Sequence, residues 1–166
     1  MTDKIEWCIE QHRKTNHFYD TYLPYEFHLR MVVQVWSTWS HLMEREWSEL
    51  EIACYGHDLI EDCRVSYNDC KSVLGEYAAD IIYAVTNEKG KTRSERANKK
   101  YYDGIRNTEG ATFVKLCDRI ANVQYSKLTK SKMFEMYKKE NGEFVKQVSN
   151  NDKYKAMTDY LISLFN

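Results

Sequence analysis

The sequence predicts an all-α fold, arranged as a compact single-domain bundle of about eight to ten helices over residues 1–166. The chain contains one Pro and six Gly, whereas average usage over this length gives roughly 8 and 12. An all-β sandwich or barrel needs turn residues every few positions, so this scarcity argues against one. Aromatic residues make up 14% of the chain. They bury enough apolar area to build a core despite a mean hydropathy of −0.69.

The first half of the chain shows apolar residues at helical spacing. Thr2 can cap a first helix that runs to about residue 12. After a loop at 15–24, which ends in the single proline, a second helix runs from about residue 25 to 42. A third helix covers about 48–61. A fourth begins at Ser66 and is broken at Gly75. The first two apolar stripes consist of Ile5, Cys8 and Ile9, then of Met31, Val32, Val35, Trp36 and Trp39.

The second half continues the helical pattern up to the last residues. Helices are predicted at about 77–86, 94–106, 112–128, 131–148 and 150–165 from their apolar stripes. Segments rich in Asn, Thr and Gly at 87–93 and 107–110 predict loops between them. Strand-like alternation is absent from the whole sequence, so no β-strand is predicted.

Charge and cysteine content exclude several function classes. The 24 basic and 25 acidic residues give a net charge of −1, so no nucleic-acid partner is expected, because sequence-independent binding needs a basic excess. No apolar run approaches a membrane span, and the N-terminal residues do not resemble a signal peptide, which together predict a cytoplasmic protein without membrane contact. The five scattered cysteines form no CxxC pair and are predicted to be reduced thiols. The oligomeric state cannot be inferred, and a homo-oligomer stays open.

The segment from Cys54 to Cys63 carries the sharpest cluster of ionisable residues. On a helix, His57 and Glu61 are one turn apart, as are Asp58 and Asp62, so an imidazole and three carboxylates converge. Like charges this close repel unless a cation lies among them, and imidazole with carboxylate suits Mn, Fe or Zn. A solvated acidic helix end is the alternative. The small and apolar residues at 52–56 directly before the cluster favour burial instead.

Two further segments supply one ligand-type residue each. His28 lies early on an otherwise apolar helix, and Asp118 lies inside an apolar helix face. Considered alone, His28 is better explained as a core histidine. Asp118, considered alone, is better explained by a salt bridge to Arg30 or Arg119.

Considered together, these segments resemble the HD superfamily of metal-dependent phosphohydrolases, and in particular the hydrolase domain of the RelA/SpoT family. His57–Asp62 reads HDLIED and is similar to that family's HDxxED motif, and Pro24–His28 reads PYEFH and is similar to its first histidine motif. Val85–Thr86 resembles its Val-Thr step, and Lys115–Asn122 reads KLCDRIAN, similar to its KLADRxxN motif. Order and spacing agree over about residues 5–128, and the helices at 129–166 are expected to complete the bundle.

The resemblance implies a set of site residues. It implies one metal ion, usually Mn²⁺ with other divalent metals possible, held by His28, His57, Asp58 and Asp118. It also implies that Glu61 and Asp62 handle the attacking water, without deciding which of them is the base. The substrate-binding residues that it implies are Arg13, Lys14 and Asn122. Tyr125 stands where the family often has Thr and is a further candidate, while Arg93 and Arg96 are competing candidates for phosphate binding.

The resemblance further implies a small-molecule nucleotide substrate and removal of the 3′-pyrophosphate of (p)ppGpp, as in a small stand-alone SpoT homologue. An HD phosphohydrolase that acts on another nucleotide, such as NADPH, a dNMP or a signalling nucleotide, is a second hypothesis. It is favoured by Tyr125 and by the long interval between Lys14 and His28. A non-catalytic protein that binds a nucleotide or a partner protein is a third.

Overall fold

A computed structural model describes residues 1–43, 47–149 and 152–166, and over these ranges it confirms the all-α fold class. Short 3₁₀ turns cover Ser40–Leu42 and Asp152–Tyr154. The predicted start of the last helix at residue 150 lies outside the described residues. The helices are α1 (Thr2–Lys14), α2 (Glu26–Trp39), α3 (Trp47–Gly56), α4 (Leu59–Asp62), α5 (Tyr67–Leu74), α6 (Glu76–Val85), α7 (Arg93–Arg96), α8 (Lys99–Asn107), α9 (Ala111–Leu128), α10 (Lys132–Val148) and α11 (Lys155–Ser163).

The segment at 15–24, predicted as a loop, contains a small β-hairpin. Its strands are β1 (Phe18–Tyr19) and β2 (Leu23–Pro24), which pair antiparallel with Phe18 opposite Pro24. Asp20, in the turn, has a φ of 57°, a left-handed conformation that Asp tolerates better than most residues. The prediction that no strand forms is therefore wrong at this point. Two-residue strands are too short to show the alternation that reveals a strand in a sequence.

The helix predicted at 48–61 is divided into two. α3 ends at Gly56, and α4 begins at Leu59 as a single turn, so His57 and Asp58 lie between them. A Cβ on Gly56 would lie 2.5 Å from Ile82 Cδ1, so the absence of a side chain lets the end of α3 approach α6 closely. The break places two adjacent polar residues in a turn between two short helices.

The core is organised around α9. This helix contacts α2, α3, α6, α8, α10 and α11, and a helix that is apolar on most sides is typically buried in this way. Its fully buried apolar residues are Ala111, Phe113, Val114, Leu116, Cys117, Ile120, Ala121 and Val123. Asp118 therefore lies on the most deeply packed helix of the described chain. Among the described residues, no helix is both long and apolar enough to cross a bilayer.

Position 110, at the start of α9, requires glycine for two reasons: its backbone conformation and the lack of room for a Cβ beside neighbouring side chains. Its φ is 83°, and a Cβ there would lie 2.7 Å from the Tyr77 hydroxyl oxygen and 2.9 Å from Ile81 Cδ1. Gly110→Ala is therefore expected to lower the free energy of unfolding by about 2–4 kcal/mol, through backbone strain and overpacking. Urea denaturation measures this change.

Gly142→Ala is the matched control, because this glycine lies within α10 and a Cβ there would meet no atom within 4 Å. Its replacement is expected to raise stability by about 0.5–1 kcal/mol, since glycine disfavours a helix interior. Equal stability of the two variants would contradict the assignment of Gly110 as a required glycine.

Candidate metal centre and substrate cavities

Four side chains from three parts of the chain meet at one point. His28 comes from the first turn of α2, His57 and Asp58 from the turn between α3 and α4, and Asp118 from the middle of α9. The His28 Nε2 atom lies 3.2 Å from His57 Nε2 and 3.4 Å from Asp118 Oδ1. The His57 Nε2 atom lies 2.8 Å from Asp58 Oδ2 and 3.7 Å from Asp118 Oδ1. The four predicted ligand residues are therefore brought together by the fold.

The imidazole of His57 is oriented by the backbone behind it. Its Nδ1 atom lies 2.7 Å from the Cys54 carbonyl oxygen, so Nδ1–H donates to that oxygen and Nε2 faces the cluster, where it would offer its lone pair to a bound ion. Metal-binding histidines are commonly held in this way by their second ring nitrogen. The ring of Tyr19 stacks on His28, with centroids 4.7 Å apart and an interplanar angle of 10°. Both imidazoles are thus held by neighbours outside the cluster.

The negative charges of the cluster are partly compensated within the protein. Lys115 Nζ lies 2.9 Å from Asp118 Oδ2, and Asn122 Nδ2 lies 2.5 Å from Asp118 Oδ1. Burial acts to raise the pKa of Asp118, but the positive charge of Lys115, together with the hydrogen bond from His28 and the charges of His57 and His28, outweighs burial and holds that pKa well below its ordinary value. The hydroxyl of Tyr25 donates to Asp58 Oδ2. Asp58 and Asp118 are therefore held as carboxylates, each with a neutral or cationic donor beside it.

This donor set fits a divalent metal ion. Two imidazole nitrogens and two carboxylate oxygens suit Mn, Fe or Zn, and the ligand atoms of His28, His57 and Asp58 all lie within 4.8 Å of one another. The two imidazoles are buried, which distinguishes the cluster from a solvated acidic surface. Asp118 pairs with Lys115 rather than with Arg30 or Arg119, and Arg119 instead contacts Glu140.

The two acidic residues of α4 have different surroundings. Glu61 accepts hydrogen bonds from Asn87 Nδ2 at 3.0 and 3.1 Å, and its carboxylate lies 3.9 Å from Arg96 Nη1. Asp62 instead interacts through its charge with Asp58, His57 and Asp118 of the cluster. Burial, together with the charges of Asp58 and Glu61, raises its pKa to about 7. The structure thus gives different surroundings to the two adjacent acids that the sequence could not distinguish.

His17 extends the cluster toward the surface. Its Nδ1 atom lies 3.8 Å from Asp62 Oδ2, and its ring stacks on Tyr25 with centroids 3.9 Å apart. The ring of His12, which is buried, stacks on Tyr25 as well. Tyr25 is therefore held by two imidazoles while its hydroxyl contacts Asp58.

One cavity, which we call the basic cavity, lies on the Lys115 side of Asp118. Its volume is about 340 Å³. Lys115, whose ammonium group pairs with Asp118, is one of its lining residues. Arg93 binds Glu140 at 3.0 and 3.2 Å along the same wall. The charged and amide side chains of the lining are Asn87, Arg93, Arg96, Asn98, Lys99, Lys115, Arg119, Glu140, Glu143 and Gln147.

A second cavity, which we call the aromatic cavity, lies on the Asn122 side of Asp118. Its volume is about 320 Å³. Asn122 joins it to the metal cluster, because its amide contacts both Asp118 Oδ1 and the hydroxyl of Tyr19. The lining residues are Tyr19, Asp20, Asn122, Tyr125, Ser126, Ser131, Met133 and Tyr137. Asp118 thus contacts one lining residue of each cavity, Lys115 in the basic cavity and Asn122 in the aromatic cavity.

The predicted substrate-binding residues separate into two groups. Arg93 and Arg96 line the basic cavity, and Asn122 and Tyr125 line the aromatic cavity. The guanidinium of Arg13 instead lies between Glu6, at 2.8 Å, and Glu26, at 2.5 Å. Lys14 is exposed, and neither Arg13 nor Lys14 is among the described residues that line the two cavities.

Among the residues beside the candidate site that sequence reasoning missed are Tyr19, Asp20 and Asn87. All three lie in segments that were predicted as loops. Tyr19 reaches Asn122 across 103 positions of the chain, so local spacing gave no signal for it. The interval between Lys14 and His28 is longer than is usual in the RelA/SpoT family, and this length was the one sign in the sequence that the segment departs from the family pattern.

Comparison with known proteins is consistent with this geometry. No family model matches the chain. The chain is 26% identical over 126 residues to the guanosine-3′,5′-bis(diphosphate) 3′-pyrophosphohydrolase MESH1 of Danio rerio, a match that covers 75% of this chain and 67% of that protein.

A solved structure supplies the comparison of folds. It is described as a metazoan ortholog of SpoT that hydrolyzes ppGpp and plays a role in starvation responses, and it superposes with a TM-score of 0.74 and 18% identity. The match covers 98% of this chain and 93% of that one. The resemblance that the four motifs predicted is thereby confirmed: the chain is similar, in sequence and in fold, to the HD-type (p)ppGpp hydrolases.

Proposed function

We propose that this chain is a metal-dependent phosphohydrolase that removes the 3′-pyrophosphate of (p)ppGpp-like nucleotides. One observation carries the proposal: the ligand atoms of His28, His57, Asp58 and Asp118 converge in a chain similar to hydrolases of that substrate. We propose Mn²⁺ as the ion, because mixed imidazole and carboxylate ligands suit it. The cytoplasm is the compartment that we propose for this reaction.

The catalytic roles follow from the surroundings of each acid. A divalent ion, when bound by the four ligand residues, supplies Lewis-acid activation of water and of a phosphate oxygen. Asp62 lies one helical turn after Asp58 and faces the cluster, so we assign it as the base that accepts a proton from the attacking water. Glu61 is held by Asn87 and lies beside Arg96, so we assign it as a positioning residue for that arginine.

The two cavities suggest how the nucleotide is oriented. A pyrophosphate group carries dense negative charge, and one arginine guanidinium can donate two parallel hydrogen bonds to the oxygens of a phosphate group. The basic cavity, with Arg93, Arg96 and Lys115, therefore suits the phosphate groups. The aromatic cavity, with Asn122 and Tyr125, suits the nucleoside. Asp118 lies between them, where a phosphoester bond would meet the metal centre.

The decisive experiment measures the products of ppGpp hydrolysis by the purified chain with Mn²⁺. Pyrophosphate and GDP are expected in equal amounts, and removal of the ion with a chelator is expected to stop turnover until Mn²⁺ is restored. Pyrophosphate is distinguished from phosphate by measuring phosphate with and without added inorganic pyrophosphatase.

The same assay tests the second candidate, a phosphohydrolase of another nucleotide. Tyr125 lines the aromatic cavity at a position where the RelA/SpoT family often has Thr, and this departure is the observation on which the second candidate rests. Release of single phosphate from NADPH or a dNMP, with ppGpp unchanged, would replace the first proposal with this one. Mn²⁺-dependent nucleotide binding without any turnover would identify a non-catalytic binding protein.

A further inference from the structure

The β-hairpin at Phe18–Pro24 forms one wall of the aromatic cavity. Tyr19 and Asp20 both line this space, and Asp20 lies in the turn, with its positive φ. Tyr125 donates a hydrogen bond to Asp20 Oδ2 at 2.9 Å, and Tyr19 donates one to Asn122 Oδ1 at 2.9 Å. Two hydrogen bonds therefore fasten the hairpin to α9 across the cavity. The hairpin is built from the residues that lengthen the interval before His28.

Asp20 gives this cavity a charge opposite to that of the basic cavity. Among the described residues that line the aromatic cavity, Asp20 is the one with an ionisable carboxylate, and Arg and Lys are absent. A carboxylate repels phosphate and accepts hydrogen bonds, but it donates none when ionised. The nucleoside rather than a phosphate group is therefore the part of a nucleotide that suits this space.

We propose that Asp20 selects the base of the substrate by accepting hydrogen bonds from a base edge that carries two adjacent N–H donors, as guanine does. This inference rests on the proposed function and names the specificity of the same site. The ring of Tyr125 meets that of Tyr19 edge-on, with centroids 4.9 Å apart, so the base lies against aromatic walls while its edge faces Asp20.

The chemistry of the two purines makes the selection possible. Guanine presents N1–H and the N2 amino group side by side, whereas adenine presents an acceptor at N1. Asp20 Oδ2 accepts one bond from Tyr125, and Oδ1 lies 3.4 Å from Thr21 Oγ1. A carboxylate offers about four acceptor positions, so both oxygens can accept further bonds. A paired contact of this kind discriminates between bases by roughly 10- to 100-fold.

The test compares guanosine and adenosine substrates in matched variants. The kcat/KM values for ppGpp and for its adenosine counterpart, ppApp, are measured with Mn²⁺ for the wild type, Asp20→Asn and Tyr125→Phe. The wild type is expected to favour ppGpp by roughly 10- to 100-fold, and Asp20→Asn to lose most of this preference, because an amide can also pair with adenine. Tyr125→Phe removes the hydrogen bond between α9 and Asp20 but keeps the carboxylate. It is therefore expected to keep the preference even if both rates fall.

Asp159→Asn is the control for an acid-to-amide change elsewhere, since Asp159 forms a surface pair with Lys155 on α11. Its base preference is expected to equal that of the wild type. Equal use of ppGpp and ppApp by the wild type, or an unchanged preference in Asp20→Asn, would overturn the inference and leave the proposed hydrolysis standing.

If neither ppGpp nor ppApp is hydrolysed, calorimetric measurement of GDP and ADP binding tests base selection by Asp20 separately from the proposed hydrolysis. Tighter binding of GDP that depends on Asp20 would then support base selection while the proposed hydrolysis fails. Equal binding of the two diphosphates would overturn base selection as well.

Discussion

Asp58→Asn is expected to lower kcat/KM for ppGpp by at least about 1000-fold. Metal activation of a phosphoryl group supplies several kcal/mol of transition-state stabilisation, and each factor of ten in rate corresponds to about 1.4 kcal/mol. The Oδ2 atom of Asp58 lies 2.8 Å from His57 Nε2 and 3.7 Å from His28 Nε2. An amide at this position keeps the shape of the side chain and removes its charge, so the metal site is weakened while the fold is kept.

Thermal unfolding tests the same variant independently of activity. An ion that binds only the folded chain at 100 times its dissociation constant stabilises it by about 2.7 kcal/mol, which corresponds to roughly 5 to 10 °C for a chain of this size. The wild type is expected to show such a rise in melting temperature with Mn²⁺, and Asp58→Asn to lose most of it. Unchanged turnover in the variant would remove Asp58 from the metal site.

Asp80→Asn is a matched control for this substitution. Asp80 lies on α6 and, like Asp58, accepts a hydrogen bond from a tyrosine, here the Tyr67 hydroxyl at 2.7 Å. Its pair is exposed rather than part of the metal cluster. Activity and the melting shift caused by Mn²⁺ are expected to remain at wild-type values.

Lys115→Met is expected to destabilise the metal-free protein by about 3–5 kcal/mol, which corresponds to a fall in melting temperature of roughly 6 to 20 °C. The Lys115–Asp118 pair is mostly buried at a separation of 2.9 Å, and removal of the lysine leaves the carboxylate of Asp118 without its cation. Methionine has a similar volume and no charge, so the effect of lost packing is kept small. Thermal and urea unfolding in the presence of a chelator measure the loss.

Mn²⁺ is expected to restore part of this stability, since a bound ion would supply a positive charge to the same Asp118 carboxylate. The melting shift caused by Mn²⁺ should therefore be larger in Lys115→Met than in the wild type. Lys155→Met serves as the control, because Lys155 forms an exposed pair with Asp159, and such pairs contribute at most about 1 kcal/mol. A loss below about 1 kcal/mol in Lys115→Met would contradict the importance of the buried pair.

The sequence was sufficient to predict which four ligand-type residues meet in the fold, because each lies in a motif with its own local pattern. His28, His57, Asp58 and Asp118 are ligand-type residues beside apolar or small residues, so their type, order and flanks could be recognised without contacts. The helical fold could be predicted for the same reason, since apolar spacing is a local property.

The roles of neighbouring acids could not be predicted in this way. Glu61 and Asp62 are adjacent, and consecutive residues on a helix point in different directions. Which of them faces the metal cluster depends on the break between α3 and α4, and on Asn87 from a distant loop. The position of Arg13 depends similarly on Glu26, a partner from the next helix.

The hairpin could not be predicted because its stability comes from elsewhere in the fold. Its strands have two residues each, and Tyr19 and Asp20 are fastened by side chains of α9 that lie more than 100 positions away. No local pattern encodes such contacts. The extra residues before His28 were visible as an unusual length, but their shape and their place beside the aromatic cavity were not.

The distribution of the four candidate metal ligands over the chain has a consequence for how the protein opens. They come from α2, from the turn between α3 and α4, and from α9, three segments that are far apart in the sequence. With an ion shared among them, detachment of any one segment would require loss of a ligand from the other two. These segments would then open together as one cooperative unit, and partial unfolding around the centre would become as costly as unfolding of the core.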